Sequence, residues 1–105
     1  MEQPNLDYIN EIAGGDPTFA GKLLDVVKLE LPQEVELYEE NFNNSAFAKA
    51  AENVHKLKHK LGILGLVNGY ELAIAYEEEL RNGNSTLKNK FDALLEDCKR
   101  FINEL

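Results

Sequence analysis

The residues of this chain best suited to chemistry are two histidines four positions apart, His55 and His59. Neutral imidazole is a good nucleophile near neutral pH, because its unperturbed pKa is about 6.5. A phosphoryl group bound to imidazole keeps a reactive P–N bond that suits onward transfer. Lys58 follows His55 by one helical turn, so its ammonium could neutralise part of the phosphoryl charge. These residue types suit a protein that accepts a phosphoryl group from one partner and gives it to another.

Motifs for nucleotide chemistry are missing from the sequence. It contains no G-x-x-x-x-G-K-[ST] loop, no glycine-rich nucleotide cradle and no Ser-His-Asp set. We therefore expect no use of ATP and no cofactor. The expected activity is that of a phosphoryl carrier rather than of an enzyme that turns over.

Two other roles for the histidines stay open at this stage. A histidine on a helix surface is most often simply solvated. Glu52, His55 and His59 could also bind Zn²⁺ from one helix face. A carboxylate-bridged metal site in a bundle needs further Glu-x-x-His ligands on another helix, however, and the chain has only two histidines. We therefore predict no metal site.

A single helix, predicted from Ser45 to about Leu64, carries both histidines. Its apolar core stripe recurs every three or four residues, at Phe47, Ala50, Val54, Leu57, Leu61 and Leu64. On this helix His55 points about 130° away from the mean of the stripe and should be solvated. Mostly small residues share that outer strip, so a partner protein could approach it closely. The predicted docking residues are Ala48, Ala51, Glu52, Lys56, His59, Gly62 and Leu66.

The elements before this helix are also helical. A short helix is predicted from Leu6 to Ala13, where Gly14-Gly15 ends it. A long segment begins at Asp16-Pro17, as N-cap and first-turn proline, and we expect Pro32 to kink it or divide it in two.

The elements after it complete the fold. Val67-Asn68-Gly69 is predicted to separate the histidine-bearing helix from a helix over Tyr70 to Arg81. On that second helix, residues 77–79 are predicted to form a solvated acidic face. The last helix follows Ser85 as a plausible N-cap. Its stripe is predicted at Leu87, Phe91, Leu94, Cys98, Phe101 and Leu105. The fold class is all-α, an antiparallel up-and-down four-helix bundle with a short N-terminal capping helix, as one domain over residues 1–105.

Composition narrows the possible functions. The 105 residues carry a net charge of -8, which argues against nucleic-acid binding and against an anionic-membrane anchor. No apolar run approaches the ~20 residues of a membrane span. The first five residues show no signal peptide, and the single Cys98 forms no internal disulfide, so we expect a cytoplasmic protein. Residues 49–60 hold four lysines against Glu52 alone, a basic spot that would steer an acidic partner onto His55.

The stretch AENVHKLKHKLGILGL resembles the signature of histidine-containing phosphotransfer (HPt) domains, which is roughly A-H-x-L-K-G-x-x-x-x-L-G. The matching positions are His55, Leu57, Lys58, Leu64 and Gly65. The stretch GGDPTFAGKLLDVV also resembles the family's G-G-D-x-x-F opening to its second helix. Two positions depart from the signature, because His59 replaces the usual glycine and Val54 the usual alanine.

The resemblance implies that His55 is the phosphoacceptor and that Lys58 assists it. The implied partners are the phospho-aspartates of response-regulator receiver domains in a two-component phosphorelay, with the receiver binding the Mg²⁺. A hybrid sensor histidine kinase would be a further partner, and the chain would act as a monomer. At His59 two consequences stay open: the ring narrows the approach of the receiver, or it adds a second donor to the phosphoryl group.

A non-catalytic adaptor is the competing function. Such a pseudo-HPt protein would dock receivers without being phosphorylated, and it would share the fold and the docking face. Both a free-standing protein and a domain of a hybrid kinase fit the sequence, and so do both directions of phosphoryl flow.

Overall fold

The computed structural model describes residues 2–105 as five helices with no strand. They are α1 (Asp7–Ala13), α2 (Pro17–Asn43), α3 (Phe47–Ile63), α4 (Val67–Arg81) and α5 (Lys88–Asn103). The helices α2 and α4 each contact both α3 and α5, so the four long helices close into a bundle, and α1 packs against α2. The prediction of an all-α helical bundle is confirmed. None of the helices in residues 2–105 is long and apolar enough to cross a membrane.

The core is built from one apolar stripe per long helix, and that of α3 was predicted correctly. Its members are buried except for the half-buried Phe47. The Tyr38 and Tyr76 rings, from α2 and α4, pack against Phe91 of α5 with centroids 5.7 and 5.0 Å away. The Tyr38 hydroxyl also bonds the Tyr76 hydroxyl at 2.7 Å and donates to Asp92 at 2.8 Å. These bonds tie α2 to α4 and to α5.

The long helix α2 begins where the sequence indicated. The Asp16 carboxylate accepts the backbone N–H groups of Thr18 at 2.9 Å and Phe19 at 3.3 Å, and Pro17 is the first helical residue. Pro32 does not divide α2, which is assigned as one helix. Pro32 lies on the exposed face, where water can solvate the carbonyl that the missing N–H leaves free, while buried Leu31 and Val35 hold both sides to the core.

The starts of α4 and α5 were predicted wrongly, because carboxylates from elsewhere cap both helices. Residues 67–69 form the first turn of α4, where Glu2 accepts the N–H groups of Asn68 at 2.9 Å and Gly69 at 3.0 Å. At the start of α5, Glu79 accepts the Leu87 N–H at 2.9 Å and the Thr86 hydroxyl. Ser85 is therefore not the N-cap, and α5 begins at Lys88.

The stripe of α5 is centred differently from the prediction. Phe91, Leu95, Cys98 and Ile102 are its buried residues, whereas Leu94 and Phe101 are half-buried. Because α5 lies against both α2 and α4, its buried arc is broad and its centre moves by about one residue. Leu94 lies at the edge that faces α4, where a Cβ on Gly69 would come within 2.8 Å of it.

Candidate functional site

His55 lies in the middle of α3 on the face opposite to the core. Its neighbours Val54 and Leu57 are fully buried, and 49% of the His55 side chain is exposed. The core stripe therefore holds the imidazole at the surface on a rigid helix. A ring in this position is accessible to another protein.

Glu77 of α4 binds the His55 ring. Its Oε1 lies 3.0 Å from His55 Nδ1, and its Oε2 accepts the Arg81 guanidinium at 3.0 Å. Burial opposes ionisation of the Glu77 carboxyl, but the hydrogen bonds from Arg81 and His55 outweigh it and hold its pKa below the usual value. The carboxylate can only accept, so Nδ1 carries the proton and donates it. The lone pair of the ring then lies on Nε2.

Sequence reasoning missed Glu77, because the run 77–79 was interpreted as a solvated face. Only Glu78 of that run is exposed, since Glu77 contacts His55 and Glu79 caps α5. A signal was available in the helix pairing. Antiparallel helices joined by a tight turn place residues equidistant from the turn side by side, and His55 and Glu77 are both eleven positions from Leu66.

Lys58 lies beside the His55 ring on the next turn of α3. Its Nζ is 3.4 Å from His55 Nδ1 and 5.6 Å from the centre of the Tyr70 ring. Because the Nδ1 proton already goes to Glu77, the ammonium acts there as a nearby cation and keeps its donors free for another acceptor. A groove of about 310 Å³ is lined by His55, Lys58, Ile74, Glu77, Glu78 and Arg81.

His59 stands edge-to-face with His55. The two ring centroids are 5.3 Å apart and the ring planes are 84° to each other. His59 is exposed and lines a second groove, together with Tyr8, Gly62, Ile63 and Tyr70. Each histidine lines one of the two grooves, and because the two rings are in contact, a partner that reaches His55 also meets His59.

The predicted docking strip is only partly correct as a surface. Ala48, Glu52, Lys56 and His59 are exposed, and Gly62 is half-buried under Tyr70. Two predicted members are wrong, because Ala51 and Leu66 are fully buried. α3 packs against both α2 and α4, so its buried arc is wide enough to include Ala51. Leu66 follows the end of α3 in the turn to α4, where helical projection no longer applies.

The basic spot predicted around His55 is weaker in the structure than in the sequence. Lys60 lies against α2, where its Nζ binds Glu30 Oε1 at 3.0 Å and Glu34 Oε1 at 3.3 Å. Burial alone would lower the pKa of Lys60, but these two carboxylates raise it. Lys60 is therefore a structural ion pair, and Glu77 adds a negative charge beside His55. The exposed lysines that remain on α3 are Lys49 and Lys56.

Neither a metal cluster nor the single cysteine provides a second chemical site in the part of the chain that the structure describes. Within residues 2–105, no three histidine, cysteine, aspartate or glutamate side chains are arranged to hold a metal ion. Cys98 is fully buried, as predicted, and burial together with nearby Asp97 raises the pKa of its thiol to about 12. The thiol is thus neither accessible nor ionised near neutral pH.

Comparison with known proteins agrees with this geometry. A family model described as Hpt domain matches residues 22–104, which include most of α2 and all of α3, α4 and α5. Searches of curated proteins and of solved structures returned no match. The matched segment contains His55, Lys58 and Glu77 on the two helices that bring them together. This chain therefore belongs to the Hpt domain family of phosphotransfer relays.

Proposed function

We propose that this chain carries a phosphoryl group on His55 Nε2, between the aspartates of two receiver domains. The hydrogen bond from His55 Nδ1 to Glu77 carries the proposal. It assigns the ring proton to Nδ1 and leaves the lone pair of Nε2 available on an exposed ring. Members of the Hpt domain family act with response-regulator receivers, which is why receivers are the proposed partners.

Transfer onto His55 needs no proton movement in this chain. Nε2 attacks the phosphorus of the receiver's aspartyl phosphate, a P–N bond forms, and the P–O bond to the aspartate breaks. The aspartate leaves as a carboxylate, while the imidazole keeps its Nδ1 proton and gains positive charge. Glu77 stabilises that charge through the bond it already makes. Onward transfer reverses these steps with a second receiver.

The receiver supplies the rest of the chemistry. It brings the acidic pocket and the Mg²⁺, so this chain needs only the nucleophile and its neighbours. The docking face would be formed by exposed residues of α3 around His55, namely Ala48, Glu52, Lys56 and His59. Lys49 and Lys56 are the lysines of α3 that can attract an acidic pocket.

Lys58 is proposed to stabilise the charge of the transferring phosphoryl group. We expect Lys58→Ala to slow transfer about tenfold without abolishing it, because a hydrogen bond to a charged group contributes about 1.5 kcal/mol. Lys90→Ala, which changes an exposed lysine of α5, is the control and should transfer at the unmodified rate. Stopped-flow or quenched-flow measurement of transfer from a phosphorylated receiver gives the rates. Equal rates for the two variants would remove Lys58 from the mechanism.

The test of the proposal is chemical mapping of the label. The purified chain is mixed with receivers carrying radioactive aspartyl phosphate, and the label should be acid-labile and located on His55 by mass spectrometry. Label on His59 would show that the wrong histidine is assigned. A receiver that binds the chain but leaves no label would establish the adaptor function instead. Mixing the labelled chain with a second receiver then tests onward transfer.

A further inference from the structure

We propose that His59 is a second phosphoryl-binding residue, donating a ring N–H to the phosphoryl group on His55. The inference rests on the proposed function and deepens it. A histidine at position 59 could narrow the approach of the receiver or add a second hydrogen-bond donor to the phosphoryl group, and the structure favours the added donor.

Most donors near the site already have partners. The Arg81 guanidinium binds Glu77, and the Lys60 ammonium binds Glu30 and Glu34. Lys58 is within reach of the ring, but its Nζ lies on the Nδ1 side, 3.4 Å from that atom. A phosphoryl group on Nε2 carries three acceptor oxygens, so one flexible ammonium leaves acceptors unfilled.

His59 can supply a hydrogen-bond donor to the phosphoryl oxygens that Lys58 leaves unfilled. No residue in the range 2–105 hydrogen bonds to either nitrogen of the His59 ring, so whichever tautomer is present has a free N–H. The ring is exposed, and its centroid is 5.3 Å from that of His55. The two rings therefore lie next to each other, one helical turn apart on the same face of α3. A glycine at the same position would leave that space to water.

In the described part of the chain, no carboxylate in the groove around His59 competes with a phosphoryl group for the N–H of the ring. The groove that it lines receives Tyr8 from α1 and Tyr70 from α4, together with Gly62 and Ile63 of its own helix. None of these groove residues is a carboxylate that would compete for the donor. Lys58, which lies beside His55 on the same helix, is a cation and does not compete for a donor. A donor held beside the phosphoryl oxygens stabilises the phosphorylated form against water.

The experiment compares three replacements of His59 in the full chain, with phosphoramidate as the phosphoryl donor so that no cognate receiver is required. His59→Gln keeps an N–H donor, His59→Phe keeps the ring shape without a donor, and His59→Gly removes both. The measurement is the half-life of the phosphoryl group on His55, followed by mass spectrometry after removal of phosphoramidate. Lys90→Ala, which changes an exposed lysine of α5, is the control.

We expect all variants to accept the label, and the half-life to fall about tenfold in the phenylalanine and glycine variants. The glutamine variant should retain most of the half-life, and the control all of it. A phenylalanine variant as long-lived as the unmodified chain would mean that the ring acts by shape and would overturn the inference. Equal half-lives in every variant would overturn it too and leave the proposed function standing, whereas no label on His55 in the unmodified chain would overturn both.

Discussion

Replacement of His55 by glutamine is expected to abolish phosphoryl acceptance while the bundle stays folded. The side chain that accepts the phosphoryl group disappears, and glutamine has no nucleophilic nitrogen at that place. The packing of α3 should be unchanged, because the His55 side chain is 49% exposed and its neighbours in the core stripe remain. Its bond to Glu77 at the surface contributes about 1 kcal/mol at most, so the free energy of unfolding should change by no more than that.

The measurement has two parts, made on the same preparation. Label from a phosphorylated receiver is counted on the chain, and urea unfolding followed by circular dichroism gives the free energy of unfolding. His59→Gln is the matched control, because it replaces the other histidine by the same residue and should still accept the label. Label retained by the His55 variant would contradict the assignment, while unfolding of that variant would show that His55 supports the fold.

The sequence predicted the element that carries the site better than the elements around it. The stripe of α3 repeats at helical spacing in its own residues, so periodicity alone placed the core on one side and His55 on the other. The start of α4 could not be found in this way. Asn68 and Gly69 have the local preferences of a turn, but a Glu2 carboxylate sixty-six positions earlier caps their N–H groups and makes them helical.

The site itself shows the same division between local and non-local information. His55 and Lys58 are one turn apart, so their proximity follows from the sequence. Glu77 and Lys60 have roles that depend on which helix lies opposite. Glu77 looks like one of three equivalent glutamates until α4 pairs with α3, and Lys60 looks solvated until α2 brings Glu30 and Glu34 to it. Charge counted along a segment therefore overestimated the free basic surface around His55.

Glu77 is expected to be the most sensitive residue of the site after His55. We expect Glu77→Ala to lower the rate of phosphoryl acceptance about tenfold to a hundredfold, since a hydrogen bond to a charged group contributes about 1.5–3 kcal/mol. Two effects combine in this loss. The ring loses the acceptor that keeps its proton on Nδ1, and the phosphorylated ring loses the charge that stabilises it. Glu77→Gln keeps an acceptor without the charge, so its rate should lie between that of the unmodified chain and that of the alanine variant.

Two readouts separate this positioning role from a structural one. Nitrogen NMR of the His55 ring should show an unprotonated Nε2 in the unmodified chain and a mixture of tautomers in the alanine variant. Because the hydrogen bonds from Arg81 and His55 hold the pKa of Glu77 below its usual value, its carboxylate stays ionised in mildly acid solution and can still accept the Nδ1 proton there. Glu71→Ala, an exposed glutamate of the same helix, is the control for both readouts. If the alanine variant kept the Nδ1 tautomer and the unmodified rate, the lone pair on Nε2 would not depend on Glu77. The hydrogen bond from His55 Nδ1 to Glu77 would then no longer support the proposed function.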